Sequence, residues 1–250
     1  MAGATQAVPT IVARQHLASV AGRALGDFAG ISVLGIGLSL LGLGALAAAA
    51  RAEDEYLLEW VFALSMLVVL LAWDRRRPLP PAVAPVRRAW PARQAVLVGI
   101  LAGCVLLLQD RLVLWLLELA GLGQIQAAND EPIRRSLAQA PLATTVQVGL
   151  LAPWLEERFI RGRLFGRFRN GGHALAGAVA TSTLFALLHE FAPDQGQRLG
   201  EWFALIGLYA WSGLVFCLLY AWSGRLRMAI AAHATNNLVL CALFWLEGIA

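Results

Sequence analysis

Apolar runs about as long as a bilayer's hydrocarbon core is thick recur along this chain, and they leave few folds open. They occupy roughly residues 27–50, 56–73, 95–120, 142–165, 173–191, 202–222 and 228–247. A helical span needs about 20 such residues. In hydrocarbon every backbone N–H and C=O must be satisfied within the protein, so only helices and closed barrels cross. No sheet signal and no internal repeat stands out. The expected fold class is all-α, a polytopic transmembrane helix bundle of seven to eight spans. The eighth span arises if Gln109-Asp110-Arg111 divides the third run. A composition of 59% apolar and only 14% charged residues agrees with a membrane protein and sets the chain apart from soluble globules.

Three segments follow from this division. Residues 1–25 read as a cytoplasmic arm or interfacial helix. Residues 26–93 read as an N-terminal transmembrane hairpin with an Arg/Pro-rich cytoplasmic linker at 74–93. Residues 94–250 form the core that carries the chemistry. No compact apolar stretch with a small-residue cleavage site opens the chain, so the first run is expected to be a true span rather than a signal peptide. All 20 basic residues are arginines. With the N-terminus cytoplasmic, fifteen of them fall on the inner side, including Arg75, Arg76, Arg77, Arg87, Arg88 and the series Arg158 to Arg169. Five fall outside, at Arg51, Arg111, Arg134, Arg135 and Arg198, among the outer acids Glu53, Asp54, Glu55, Asp130, Glu131, Glu190, Asp194 and Glu201. Topology accounts for the net charge of +4, and no nucleic-acid partner is implied. Cys104, Cys217 and Cys241 sit in apolar runs without a CxxC pair and read as small buried hydrophobes.

Against this background the acid pair Glu156-Glu157 stands out, because an ionised carboxylate in hydrocarbon is costly and reads by default as a functional site. Residues four apart share a helix face, so Glu157 can pair with Arg161 while Glu156 points about 100° away. Pro153, in mid-span, is expected to kink the helix and free backbone groups for water. Further along, Phe185 and His189 lie one turn apart, and so do His233 and Asn237. A carboxylate can serve as a general base toward water. Imidazole and amide N–H groups can stabilise an oxyanion. Two histidines and a glutamate are equally a zinc set with one open position. Counting about 1.5 Å per residue from the expected inner ends puts Glu156 some 18 Å deep, His189 about 24 Å and Asn237 about 15 Å. Straight helices would not bring these together, whereas tilted or broken ones would.

The pattern Glu156-Glu157 with Arg161, Phe185 with His189, and His233 with Asn237 resembles the EExxxR, FxxxH and HxxxN motifs of the CAAX prenyl endopeptidase and bacteriocin-processing (CPBP) intramembrane protease family. The resemblance covers roughly residues 140–247. It implies an intramembrane endopeptidase with Glu156 as the water-activating base, supported by Glu157 and Arg161. His189 would share in activating the water, and His233 and Asn237 would form the oxyanion-stabilising side. The implied substrate is a membrane protein or peptide in the lipid bilayer, with C-terminal sorting-signal removal or peptide processing as the reaction. The expected location is a bacterial inner (plasma) membrane. No cofactor is required on this reading. The metal-dependent alternative takes a divalent ion such as zinc on Glu156, His189 and His233. Trp154 and Phe185 are candidates for a substrate groove. A non-catalytic scaffold or immunity protein of the same fold, and an ion or proton transporter, are the rival functions. His16 and His173 read as uninvolved, and the Arg158 to Arg169 cluster reads as positive-inside topology rather than lipid headgroup binding.

Overall fold

Small residues where helices touch and paired charges at one end of the bundle decide how the apolar runs assemble. The structure, a computed structural model, describes residues 10–48, 55–79, 90–123, 125–193 and 197–249. Among the described residues there is no strand. Helices α1 (Thr10–Ala48) and α2 (Glu55–Arg76) form a hairpin, followed by α3 (Ala92–Leu117), which continues into a wider π-helical turn at Glu118–Leu122. Next come the short amphipathic α4 (Asp130–Gln139) and a long interrupted helix, α5, over 141–170. Helices α6 (Ala174–His189), α7 (Leu199–Ser223) and α8 (Leu226–Ile249) complete the bundle.

Among the described residues five helices are long and apolar enough to cross a membrane: His16–Ala45, Leu57–Arg76, Ala92–Leu122, Leu199–Ser223 and Leu226–Gly248. Five of the expected seven to eight spans thus stand as single long apolar helices among the described residues. Helix α6 is apolar but shorter, and α5 alternates α-helical and π-helical turns. The third run is not divided, because its polar triplet finds partners within the bundle. The Trp211 indole donates to Gln109 Oε1 at 3.0 Å, and Asp110 hydrogen-bonds the Asn236 side chain. Helix α1 runs without a break through residues 25 and 26, where the arm was expected to end. At about 1.5 Å per residue it is roughly 58 Å long, about twice the hydrocarbon thickness, so it projects beyond the bilayer. Half of the 74–93 linker, with Arg87 and Arg88, lies outside the described residues, as do Arg51, Glu53, Asp54 and Asp194.

Close helix contacts set the register of the core. Gly99 and Gly103, four apart on α3, face the backbone carbonyls of Met228 and Ala232 on α8, and any side chain there would collide with them. This small-xxx-small contact lets two membrane helices approach closely. It also resolves the mismatch in depth. Leu226, at the start of α8, packs against Gly162 of α5 rather than against its end near Asn170. From that level Glu156 and His233 are six and seven residues further along their helices. Helix α6 starts after the turn at 171–173, so Glu156 and His189 are 14 and 15 residues from the ends of α5 and α6 that meet there. The α7–α8 turn is sunk into the bundle, which the sequence alone does not reveal.

The arginine-rich segments gather at one end of the bundle, and they carry more than topology. Arg163 and Asp27 are both fully buried and stand 3.4 Å apart. Arg163 also pairs with Asp74 and donates to the Arg77 carbonyl at 2.7 Å. Arg167 meets Asp27 at 2.6 Å, Trp73 donates to Asp27 at 3.2 Å, and Arg158 pairs with Asp74. The N-terminal hairpin is thus bolted by charge to the helix that carries the acid pair. Removing one partner of a buried pair costs about 3–5 kcal/mol, because the other charge is left uncompensated. Asp27→Asn should lower stability by an amount of that order and reduce Tm in detergent, while Asp130→Asn, outside this network, should change it little.

Candidate active site

Helix α5 presents its acid pair to two helices at once. Before the pair, a π-helical turn at Gln147–Leu151 lets the Ala152 N–H bond the Gln147 carbonyl, five residues back. The next donor in that register would be Pro153, which has no N–H, so the Val148 carbonyl has no partner along its own helix. Asn237 of α8 supplies it, donating from Nδ2 at 3.0 Å. Pro153 therefore frees a backbone group, as its position implied, and that group is taken up by a side chain of the third motif.

Glu157 and Arg161 form the floor. Both are fully buried, with Arg161 Nη1 3.0 Å from Glu157 Oε1. The same carboxylate oxygen lies 3.0 Å from His233 Nδ1. A carboxylate that pairs with arginine only accepts, so His233 Nδ1 carries the hydrogen. The Arg161 guanidinium lies over the rings of Phe185, 4.4 Å from its centroid, and Phe216, at 5.2 Å. Gly213 of α7 leaves the room this requires, since a methyl group there would stand 2.9 Å from Arg161 Nη2.

Glu156 faces the other way, as the 100° rotation requires. Its Oε2 lies 3.8 Å from His189 Nε2 and 4.0 Å from His233 Nε2, buried and without a hydrogen-bond partner. The Glu156 side chain remains 31% exposed and that of His189 18%, so this side of the site is accessible. His189 Nδ1 is 2.9 Å from the Phe185 carbonyl, an acceptor only, which places the proton on Nδ1 and leaves the Nε2 lone pair toward Glu156. Glu156, Glu157, Arg161, His189 and His233 are thus brought together. Asn237 joins them through α5, one turn beyond His233.

Among the described residues no three His, Cys, Asp or Glu side chains are arranged to hold a metal ion. The ligand set of the metal-dependent alternative, Glu156, His189 and His233, supplies chemically suitable donors, with Glu156 Oε2 3.8 Å and 4.0 Å from the two imidazole Nε2 atoms. Phe185, expected beside a groove, is 2% exposed. It is a spacer between His189, at 4.4 Å between ring centroids, and His233, at 5.7 Å. Trp154 is half-buried with the Arg158 guanidinium 5.1 Å from its ring.

Sequence reasoning passed over two aromatic residues of α7. Tyr209 stacks on His189 at 4.6 Å and hydrogen-bonds Asn129 Oδ1 at 3.2 Å. Phe216 stacks on His233 at 4.9 Å. The clue to Tyr209 was a hydroxyl in mid-span needing a partner; Phe216 gave none, being one apolar residue among many.

Residues 138–239 match the family described as type II CAAX prenyl endopeptidase Rce1-like. Over 92 residues the chain is 28% identical to the membrane-embedded CAAX protease MroQ of Staphylococcus aureus (strain USA300), an overlap of 36% of this chain and 34% of that protein. The chain thus spans about a third of the length of the curated relative it matches. No solved structure matches it. The matched segment holds all three motifs, on helices whose side chains converge, and over that segment the chain is similar to the type II CAAX prenyl endopeptidases.

Proposed function

We propose that the protein is an intramembrane endopeptidase in which Glu156 activates water against a peptide bond of a membrane-anchored or membrane-associated substrate. The observation that carries this reading is the placement of Glu156 Oε2, unpartnered and facing two imidazole Nε2 atoms. A water between them can give its proton to Glu156, with the His189 lone pair as second acceptor. His233 acts in the opposite sense. Glu157 holds its Nδ1 proton, and a second proton on Nε2 makes it an imidazolium that donates to the developing oxyanion. Two carboxylates then balance Arg161 and the imidazolium. Asn237 has one amide hydrogen on Val148 and a second to offer the same oxyanion. Glu157 and Arg161 are positioning residues.

The proposed chemistry is metal-free. If a metal is bound, Glu156, His189 and His233 are its ligands. We place the arginine-rich end in the cytoplasm of a bacterium, with the N-terminus inside and the chain in the inner membrane. Removal of a C-terminal sorting signal or processing of a peptide is the reaction class that fits a site within a helix bundle.

The decisive experiment maps the N- and C-termini of membrane proteins in cells carrying the wild type or Glu156→Gln. The expected result is a set of termini that disappears in the variant at wild-type protein levels; identical termini would refute the proposal. With a substrate so identified, Glu156→Gln should slow cleavage about 10²–10⁴-fold. Asn237→Ala should slow it about 10²–10³-fold, the range for a lost oxyanion donor. Cleavage by the purified protein should survive prolonged chelation. A loss restored by zinc would instead establish the metal-dependent alternative.

A further inference from the structure

At the arginine-rich end, remote from the acid pair, α1 and the end of α5 line an open cavity of about 180 Å³. It is lined by His16, Val20 and Arg23 of α1 and by Arg167, Asn170 and Gly171. A water occupies roughly 30 Å³, so the space admits a phosphate group with a few waters. Its electrostatics are one-sided. The ion network behind it sets Arg77, Arg158, Arg163 and Arg167 against Asp27 and Asp74 alone, two more positive charges than negative. Arg23 adds a third, with the Ser19 hydroxyl as its hydrogen-bond partner and no carboxylate within ion-pair distance among the described residues. Arg167 commits Nε and Nη2 to Asp27, leaving Nη1 for another acceptor. The buried Arg163 is paired with both acids, whereas Arg77, Arg158, Arg167 and Arg23 are partly or fully exposed, so the excess positive charge lies where an anion from outside can reach it. The guanidinium fork matches phosphate oxygens.

We propose that this cavity is a phosphate-binding site, filled by the headgroup phosphate of an anionic lipid or by free phosphate, and that its ligand ties α1 to α5. The test uses the full chain in nanodiscs of pure phosphatidylcholine, of phosphatidylcholine with one-fifth phosphatidylglycerol, and of pure phosphatidylcholine with inorganic phosphate, reading Tm. A rise of several degrees with phosphatidylglycerol alone identifies the headgroup as ligand; a rise with inorganic phosphate identifies the free ion. In either case Arg23→Gln and His16→Leu should at least halve the rise, and Arg23→Lys should keep most of it. Arg93→Gln, an equal loss of charge on exposed α3 surface outside the cavity, should leave it intact. The proposal is overturned if neither probe raises Tm, or if Arg23→Gln and Arg93→Gln respond alike.

Discussion

A single carboxylate oxygen, Glu157 Oε1, holds the site together. It accepts from Arg161 on its own helix and from His233 on α8, each at 3.0 Å, with no exposed surface on either Glu157 or Arg161. Pairing alone is weak evidence for stability, since desolvating two ions can cancel their attraction. What the interaction fixes is orientation. It accepts a hydrogen bond from His233 Nδ1–H, turns Nε2 toward Glu156 and sets α8 against α5. The aromatic rings of Phe185 and Phe216 beneath the guanidinium keep water away from the pair and strengthen it.

The rest of the bundle supports that arrangement. The Gly99 and Gly103 contact brings α8 close to α3, and the buried Asp27–Arg163–Asp74 network fastens the N-terminal hairpin to α5, one to two turns beyond the acid pair. The hairpin and the helix of the acid pair therefore share a buried ionic core, although only residues 138–239 match the family model. A change in α1 or α2 has a direct mechanical route to Glu156.

Much of this was legible in the sequence, because the cost of charge in hydrocarbon makes each intramembrane acid or imidazole conspicuous. Glu157 with Arg161 followed from helical periodicity, and the all-helical class followed from the apolar runs. The relative depths of the helices were not legible. They depend on Leu226 packing against Gly162, a contact between side chains too ordinary to signal it. Asp27 and Asp74 gave no signal, since the α5 arginines that meet them are more than 80 residues away. The use of the Val148 carbonyl by Asn237 required knowing that the helix widens before Pro153.

The account turns on which nitrogen of each imidazole carries its proton, and nitrogen NMR of the ¹⁵N-histidine-labelled protein in nanodiscs reads this directly. Signals of the four histidines are assigned by substituting each in turn. The expected result is a proton on Nδ1 of both His189 and His233 at neutral pH, with the His233 signal displaced in Glu157→Gln. A bare Nδ1 with the proton on Nε2 in either ring would contradict the account, because neither the Phe185 carbonyl nor Glu157 could then be holding it.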